Sequence, residues 1–340
     1  MKADQSTNRM KDRTRHRHRL GLRRLLRGAL AVGAATLALS ARSEAAAAES
    51  KTLCVFDPGG ANGDLFAKMK SYQAEAVSLG VNFTLKPYTD ESVAASDFRN
   101  KQCDAVLLTG VTGREFNPKT YTLEALGLFP TYAALGKAVS RLALPKLASI
   151  SVSEGFETVG VYPAGAVYLH LRDRENASLP RLSGRSIATI GGDPAARTMV
   201  NRVGATATRA EVGTFASMFN NGSVDVCYSP ATAYAPMELH RGVGSKGGVV
   251  RYPLAQLTFQ IYVRPAEFPE GFGQASRELV AGHFSSMVKL VEREEAKVQG
   301  WIEIAQADAE RYDELLRQVR DTLKAEKVYD GAVLLLGAAR

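Results

Sequence analysis

From Lys51 onward, short apolar runs alternate with stretches whose apolar residues recur every three or four positions. "TLCVFD" reads as a strand and "GDLFAKMKSYQAEAVSLG" as a helix stopped at Gly80. "NFTLKPYT" is the next strand, Asp90 caps a helix through "ESVAASDFRNKQ", and the strand "DAVLLTG" follows. Short apolar strands separated by helices predict an α/β protein with an open, mostly parallel sheet covered on both faces. A longer helical stretch, Leu123 to Leu147, comes next and is interrupted near Pro130.

The middle of the chain starts the same pattern again. A long extended segment, Thr158 to Arg174, is followed by "SIATIGG", a helix from Asp193 to Val203, "ATATRA", a helix ending at Asn220, and "VDVCYSP". A second long extended segment runs from Gly247 to Pro265. Two α/β units joined by two long strands predict two doubly wound domains with a two-stranded hinge: residues 50–165 plus 258–340, and residues 166–257. The tail is helical. Val280, Phe284, Met287, Val288 and Val291 form one stripe, and Tyr312, Leu315, Leu316, Val319 and Leu323 another, both read as helices packed on the sheet.

The N-terminus changes the charge picture. Its first 27 residues are basic; a short apolar run, "ALAVGAATLALS", and the small-residue patch "SEAAAAES" follow. This is the pattern of a cleaved secretory signal over residues 1–47, since the apolar run is shorter than the ~20 residues a spanning helix needs. The Arg23-Arg24 pair raises twin-arginine export, but its surroundings fit the general secretory route better. The whole chain carries 43 basic and 35 acidic residues; the first 47 hold 11 and 3 of these, which leaves 32 of each. No basic surface remains to argue for nucleic acid. The three cysteines form no CxxC pair. Cys54 and Cys103 each begin an apolar strand run, and these strands would be neighbours in a parallel sheet. Export to an oxidising compartment therefore predicts a Cys54–Cys103 disulfide and a buried free Cys227.

"RLSGRSIATIGGDPAARTMVNRVGATATRAEVGTFASMFNNGSVDVCYSPATAY" resembles the second-domain segment of substrate-binding proteins of tripartite (TRAP-type) periplasmic transporters. The shared turns are Leu182-Ser183-Gly184, Val203-Gly204-Ala205 and Asn220 to Asp225. The stretches "CVFDPGGANGDLFA", "LKPYTDE", "QCDAVLLTG", "FNNGSVD", "KGGVVRYPLAQLT" and "FPEGFGQASRE" are similar to a group of solute-binding proteins, some once labelled RND-type efflux components. The resemblance implies a type II periplasmic-binding-protein fold with C-terminal helices. It also implies a small-molecule ligand, an inner-membrane transporter of TRAP or RND type as partner, and a monomer. One departure matters. The arginine with which TRAP-type proteins clamp a substrate carboxylate falls at Ala188 here, and a second cleft arginine of that family falls near Val167.

In open α/β sheets ligands sit beyond the carboxyl ends of the strands. That rule picks out "DPGGANGD": Asp57 ends a strand, Gly59 and Gly60 let the backbone turn, and Asn62 or Asp64 can cap the helix or meet a ligand. The loop is not a P-loop, because no Gly-Lys-Ser/Thr follows and the two aspartates would repel a phosphate. A turn plus cap without any ligand contact is the alternative. The same rule brings Thr109 and Arg114 after the third strand, and Ser229, Thr232 and Tyr234 after "VDVCY", toward the cleft. Asp193 reads as a helix cap, with Arg197 one turn on. Tyr162, Tyr168 and Arg251 lie on the long strands and face either cleft or core. Catalysis has little support: no HExxH or GxSxG motif occurs, and Ser229 has no evident base. No cofactor or metal is implied. The expected function is capture of a small, partly hydrophobic molecule by hinge closure and delivery to a transporter. The alternative is an accessory or shuttle protein of an efflux or lipid-export system.

Overall fold

The computed structural model describes residues 48–338; the expected signal segment lies outside them. Eleven strands form one sheet: β1 (Glu49–Phe56), β2 (Val81–Tyr88), β3 (Ala105–Thr109), β4 (Val152–Ser153), β5 (Phe156–Leu171), β6 (Ser186–Ile190), β7 (Thr206–Ala210), β8 (Val226–Pro230), β9 (Gly248–Val250), β10 (Ala255–Val263) and β11 (Trp301–Ile302). The main order is β2-β1-β3-β10-β5-β8-β6-β7. At each end a parallel trio has its earliest strand in the middle: β1 between β2 and β3, and β6 between β7 and β8. Such trios need helical crossovers, which the periodic segments supply.

The two trios meet through an antiparallel pair. β10 lies against both β3 and β5, and β5 lies against β8. Register then decides where the trios end. Thr109, the last residue of β3, is level with Phe259 of β10, which pairs with Tyr162 of β5. Pro230, the last residue of β8, pairs with Val167 of β5. Three successive antiparallel steps make β3 and β8 run in opposite directions, so their carboxyl ends face each other across residues 163–166. In that interval β5 is bulged at Ala164, because Gly165 pairs with Leu257 while Pro163 pairs with Thr258. Gly165 has φ +123°, a region open in practice to glycine, and a Cβ there would press on Thr232 Cγ2 at 3.1 Å.

Local rules explain the elements. Asp90 and Asp193 cap their helices, Glu91–Arg99 and Pro194–Arg202, each accepting from two backbone N–H groups, and Gly80 (φ +81°) ends the first helical segment. The expected helix from Leu123 to Leu147 is shorter, Tyr132–Leu142. Thr131 caps it, and the flanking residues form 3-10 turns, the second begun by Pro145. The expected second long strand is two, β9 and β10. Pro253 between them has no N–H for a ladder, and Tyr252 N turns back to Val250 O at 2.8 Å. The first tail stripe crosses a boundary at His283 into the helix Phe284–Glu295, and within it Val288 is only partly buried. All five residues of the second stripe are buried on Gln306–Ala325.

Cys54 and Cys103 form the expected disulfide, with Cα atoms 5.9 Å apart, and Cys227 is a buried free thiol. The bridge closes a loop with a sequence separation of 49. A loop of this size predicts that reduction, or Cys103→Ala, lowers unfolding free energy by about 4 kcal/mol. Urea unfolding with and without reductant checks this.

Candidate functional site

In the first trio, the ends of β1 and β3 each carry a polar residue fixed in place. Asp57, directly after β1, accepts from Gly59 N (2.7 Å) through Oδ1 and from Phe66 N (2.8 Å) through Oδ2. The second bond corrects the expected cap. Gly63 occupies the N-cap of the helix Asp64–Ala76 and has no side chain to offer, so Asp57 reaches forward instead of Asn62 or Asp64 capping locally. Glycine is needed at position 63 because a Cβ there would collide with the Asp57 carboxylate. The glycines of this loop therefore hold an aspartate. Thr109 caps the short helix Gly110–Gly113, and its N–H donates to the buried Glu91 (2.5 Å), whose carboxyl burial pushes above its usual range.

Above residues 163–166 lies a cavity of about 460 Å³. Its floor is Pro163, Ala164, Leu257 and Phe259 from the central strands. Phe56 and Val111 close one side and Ile190 and Tyr228 the other, while Met287 and Val291 of the helix Phe284–Glu295 reach in from above. The charged residues in the wall are Asp57, Asp64, Glu294 and Lys297, and Lys297 is bonded to Glu294 at 2.6 Å. Among the described residues no arginine lines the cavity.

A smaller chamber of about 60 Å³ adjoins this cavity. Val111, Ile190, Tyr228, Ser229, Pro230 and Leu257 line both spaces. Glu124 and Asp193 lie in its wall with Tyr121. Glu124 Oε1 accepts from Gly110 N (3.1 Å), Thr258 N (2.8 Å) and Thr258 Oγ1 (2.6 Å), while the buried Oε2 has no hydrogen-bond partner among the described residues. Burial pushes the Glu124 carboxyl up to about 8. Asp193 Oδ1 accepts from Ala195 N, Ala196 N and Tyr121 OH, and burial raises its carboxyl as well.

Of the expected site residues, Asp57, Asn62, Thr109, Ser229 and Thr232 line the main cavity. The others stand elsewhere. Gly60, with φ +58°, belongs to the turn beside that wall. Arg114 reaches across to the Gly192 carbonyl (3.3 Å) and lies over the Tyr121 ring. Arg197 is exposed on its helix. Tyr162 and Tyr234 are core residues at 0% and 5% exposure. Tyr168 stacks edge-on against Trp301 and donates to Glu295 (3.5 Å). Arg251 is half exposed, paired with Glu303 (2.7 Å) over the face of Trp301. The arginine that burial and pairing single out is Arg277, bonded to Glu157 under the helix Phe272–Gly282. Ala188 and Val167, where TRAP-type arginines would fall, are both buried; Val167 lines the smaller chamber.

Sequence reasoning missed Glu124, Tyr228 and Leu257. A lone acid in the apolar run "YTLEALGLF" was the available signal for Glu124, because an unpaired carboxylate is seldom buried without a role. It also missed a base for Ser229: His170 Nε2 lies 3.4 Å from Ser229 Oγ. Burial pushes that imidazole down to about 4, and its Nδ1 has no hydrogen-bond partner among the described residues, so no third group orients it as a triad requires.

The family model described as "Solute-binding protein AdeT 1/2" matches residues 74–338. The curated "Probable solute-binding protein AdeT1" of Acinetobacter baumannii is 34% identical over 278 residues, 81% of this chain and 91% of that protein. "Probable solute-binding protein AdeT2" of the same organism is 20% identical over 207 residues, 60% of this chain and 87% of that protein. Among solved structures, a TRAP periplasmic solute binding protein from Desulfovibrio desulfuricans with bound sn-glycerol-3-phosphate superposes with a TM-score of 0.70 at 13% identity, covering 86% of this chain and 97% of its own. One from Ralstonia eutropha H16 with bound (S)-2-acetolactate gives 0.67 at 14% identity, with coverage of 86% and 99%. These structures share the fold.

His170 and Glu124 set opposite pH dependences. An unfolded histidine binds a proton below about 6.5, whereas His170 resists protonation down to about 4, so its contribution to stability grows as pH rises through that window. Unfolded Glu124 would lose its proton near 4.5, whereas burial makes the folded residue keep it to about 8, so stability falls with rising pH between those values. Above pH 6.5 only the second effect remains of the two. Wild type is expected to lose up to about 1.4 kcal/mol per pH unit relative to Glu124→Gln between pH 6.5 and 8. Parallel urea titrations of the two proteins measure it.

Proposed function

Because the chain belongs to the AdeT 1/2 family of solute-binding proteins, we propose that it captures a largely apolar small molecule in the cavity above residues 163–166 and closes on it by bending β5 and β10. The family is one of binding proteins, not enzymes. The single observation that carries the ligand class is the wall composition: mostly apolar side chains, four neutral polar ones (Asn62, Thr109, Ser229 and Thr232) and three carboxylates, with one lysine that is already paired and, among the described residues, no arginine. The cavity has the size of a drug-like ligand site.

The proposal extends to the setting. The two parallel trios act as two lobes, residues 50–165 plus 258–340 and residues 166–257, and the bulge at Ala164 and Gly165 lies where bending would concentrate. Ligand contacts made by both lobes favour the closed form, which a membrane transporter of TRAP or RND type then recognises. The protein works as a monomer in the periplasm, exported by the segment 1–47. Among the described residues no helix is long and apolar enough to cross a membrane. Two fold neighbours carry glycerol-3-phosphate and acetolactate, anions for which this cavity offers no unpaired cation among the described residues. A shuttle for an export system is the second reading, favoured by the same apolar walls.

Nile red, a neutral apolar dye, tests the reading by fluorescence titration. Wild type is expected to bind one dye, and Leu257→Glu, which puts a carboxylate on the floor, to weaken it roughly tenfold, with urea midpoints measured alongside. Failure to bind the dye, together with thermal stabilisation by malonate or glycerol-3-phosphate, would overturn it.

A further inference from the structure

The smaller chamber is built from groups that leave one requirement unmet. Glu124 is 5% exposed, and its Oε1 is filled by three donors while Oε2 faces no donor among the described residues. A buried carboxyl oxygen left without a partner costs about 1–3 kcal/mol, more if charged. The architecture holds it there regardless. Gly110 has no room for a Cβ against Glu124, and Thr258 grips the same oxygen from β10 through both its N–H and its hydroxyl. Asp193 stands in the same wall, with all its side-chain hydrogen bonds among the described residues made by Oδ1.

The other lining groups narrow the choice of occupant. Tyr121 and Tyr228 contribute aromatic rings, and Val111, Val167, Ile190 and Leu257 contribute apolar surface. Among the described residues no lysine, arginine or histidine lines the chamber; Arg114 lies over the Tyr121 ring, outside the lining. An anionic headgroup would meet two carboxyls with no counter-charge. A hydroxyl could accept the proton that the Glu124 carboxyl keeps to about pH 8, but it would bring no positive charge to Asp193. An ammonium would donate to Glu124 Oε2, offset Asp193 and meet tyrosine rings, surroundings that attract cations.

Resting on the reading of the main cavity as an apolar ligand site, we propose that the smaller chamber is a subsite for a protonated amine, with Glu124 Oε2 as its acceptor, so that the ligand is an apolar amine. The apolar body occupies the main cavity, and the amine enters past Tyr228 and Leu257, which line both spaces. Binding is coupled to proton release. Free Glu124 holds its proton to about pH 8, whereas an alkylamine stays protonated to about pH 10, so the complex forms with the carboxylate ionised. The titratable groups facing Glu124 are Asp193, Tyr121, Tyr228, Tyr262 and Tyr329, and Arg114 acts on Asp193.

Calorimetry with 4-phenylbutylamine, 4-phenylbutanol and 4-phenylbutyrate tests this, since the three share one apolar body. At pH 7 wild type is expected to bind the amine at least about tenfold more tightly than the alcohol, and the carboxylate most weakly. Amine affinity should rise by up to about tenfold per unit from pH 6 toward 8, and the dependence of heat on buffer ionisation should report release of close to one proton. Glu124→Gln should bring the ratio of amine to alcohol affinity toward one. If the alcohol binds and the amine binds no better, or without proton release from wild type, the amine subsite is wrong while the apolar cavity stands. If none of the three binds, both are wrong.

Discussion

The antiparallel ladder between β5 and β10 runs through the middle of the sheet, and each parallel trio hangs from one of its strands, β3 on β10 and β8 on β5. The register on that ladder leaves residues 163–166 of β5 between the two sets of carboxyl ends. Loops from both trios therefore converge on one place, and the cavity forms there because no strand covers that interval. Pro163 and the bulge at Ala164 interrupt the ladder at this point. A site of this kind is a consequence of topology, and the residues that reach it inherit their roles from where their strands stop.

Glu124 shows how tightly the site is integrated with that ladder. It precedes the helix Tyr132–Leu142, yet through Thr258 it is bonded to β10 and through Gly110 to the loop after β3. One carboxyl thus links the first trio's loop to the central pair, in a residue that lines the chamber and whose other oxygen has no hydrogen-bond partner among the described residues. Asp57 has a comparable position after β1, but both its oxygens are engaged by backbone N–H groups, which makes it a structural anchor. The difference between the two acids is one unfilled lone-pair site in a buried setting.

Much of this was legible in the residues. Alternating apolar runs and caps such as Asp90 and Asp193 are local signals, and the strand order implied by two neighbouring runs was enough to pair Cys54 with Cys103. The loop "DPGGANGD" was placed at the site by the rule for strand ends, although its glycines turned out to shelter Asp57. Residues on the long strands were harder. Tyr162, Tyr168 and Arg251 lie on or beside strands that cross the site, but a bulge and the break at Pro253 decide which way each points, and neither is encoded in apolar periodicity. His170 and Ser229 meet only because β5 pairs with β8, contacts separated by 59 residues.

The cavity wall is mostly apolar, with no unpaired cation among the described residues, and this sets the proposed ligand apart from the anions bound in two fold neighbours. Native mass spectrometry of the protein, purified without detergent and compared with its denatured mass, tests it most directly. The released companion is expected to be a single apolar molecule with no ionised acid group. A co-purified hydroxy acid, dicarboxylate or phosphate ester would contradict it.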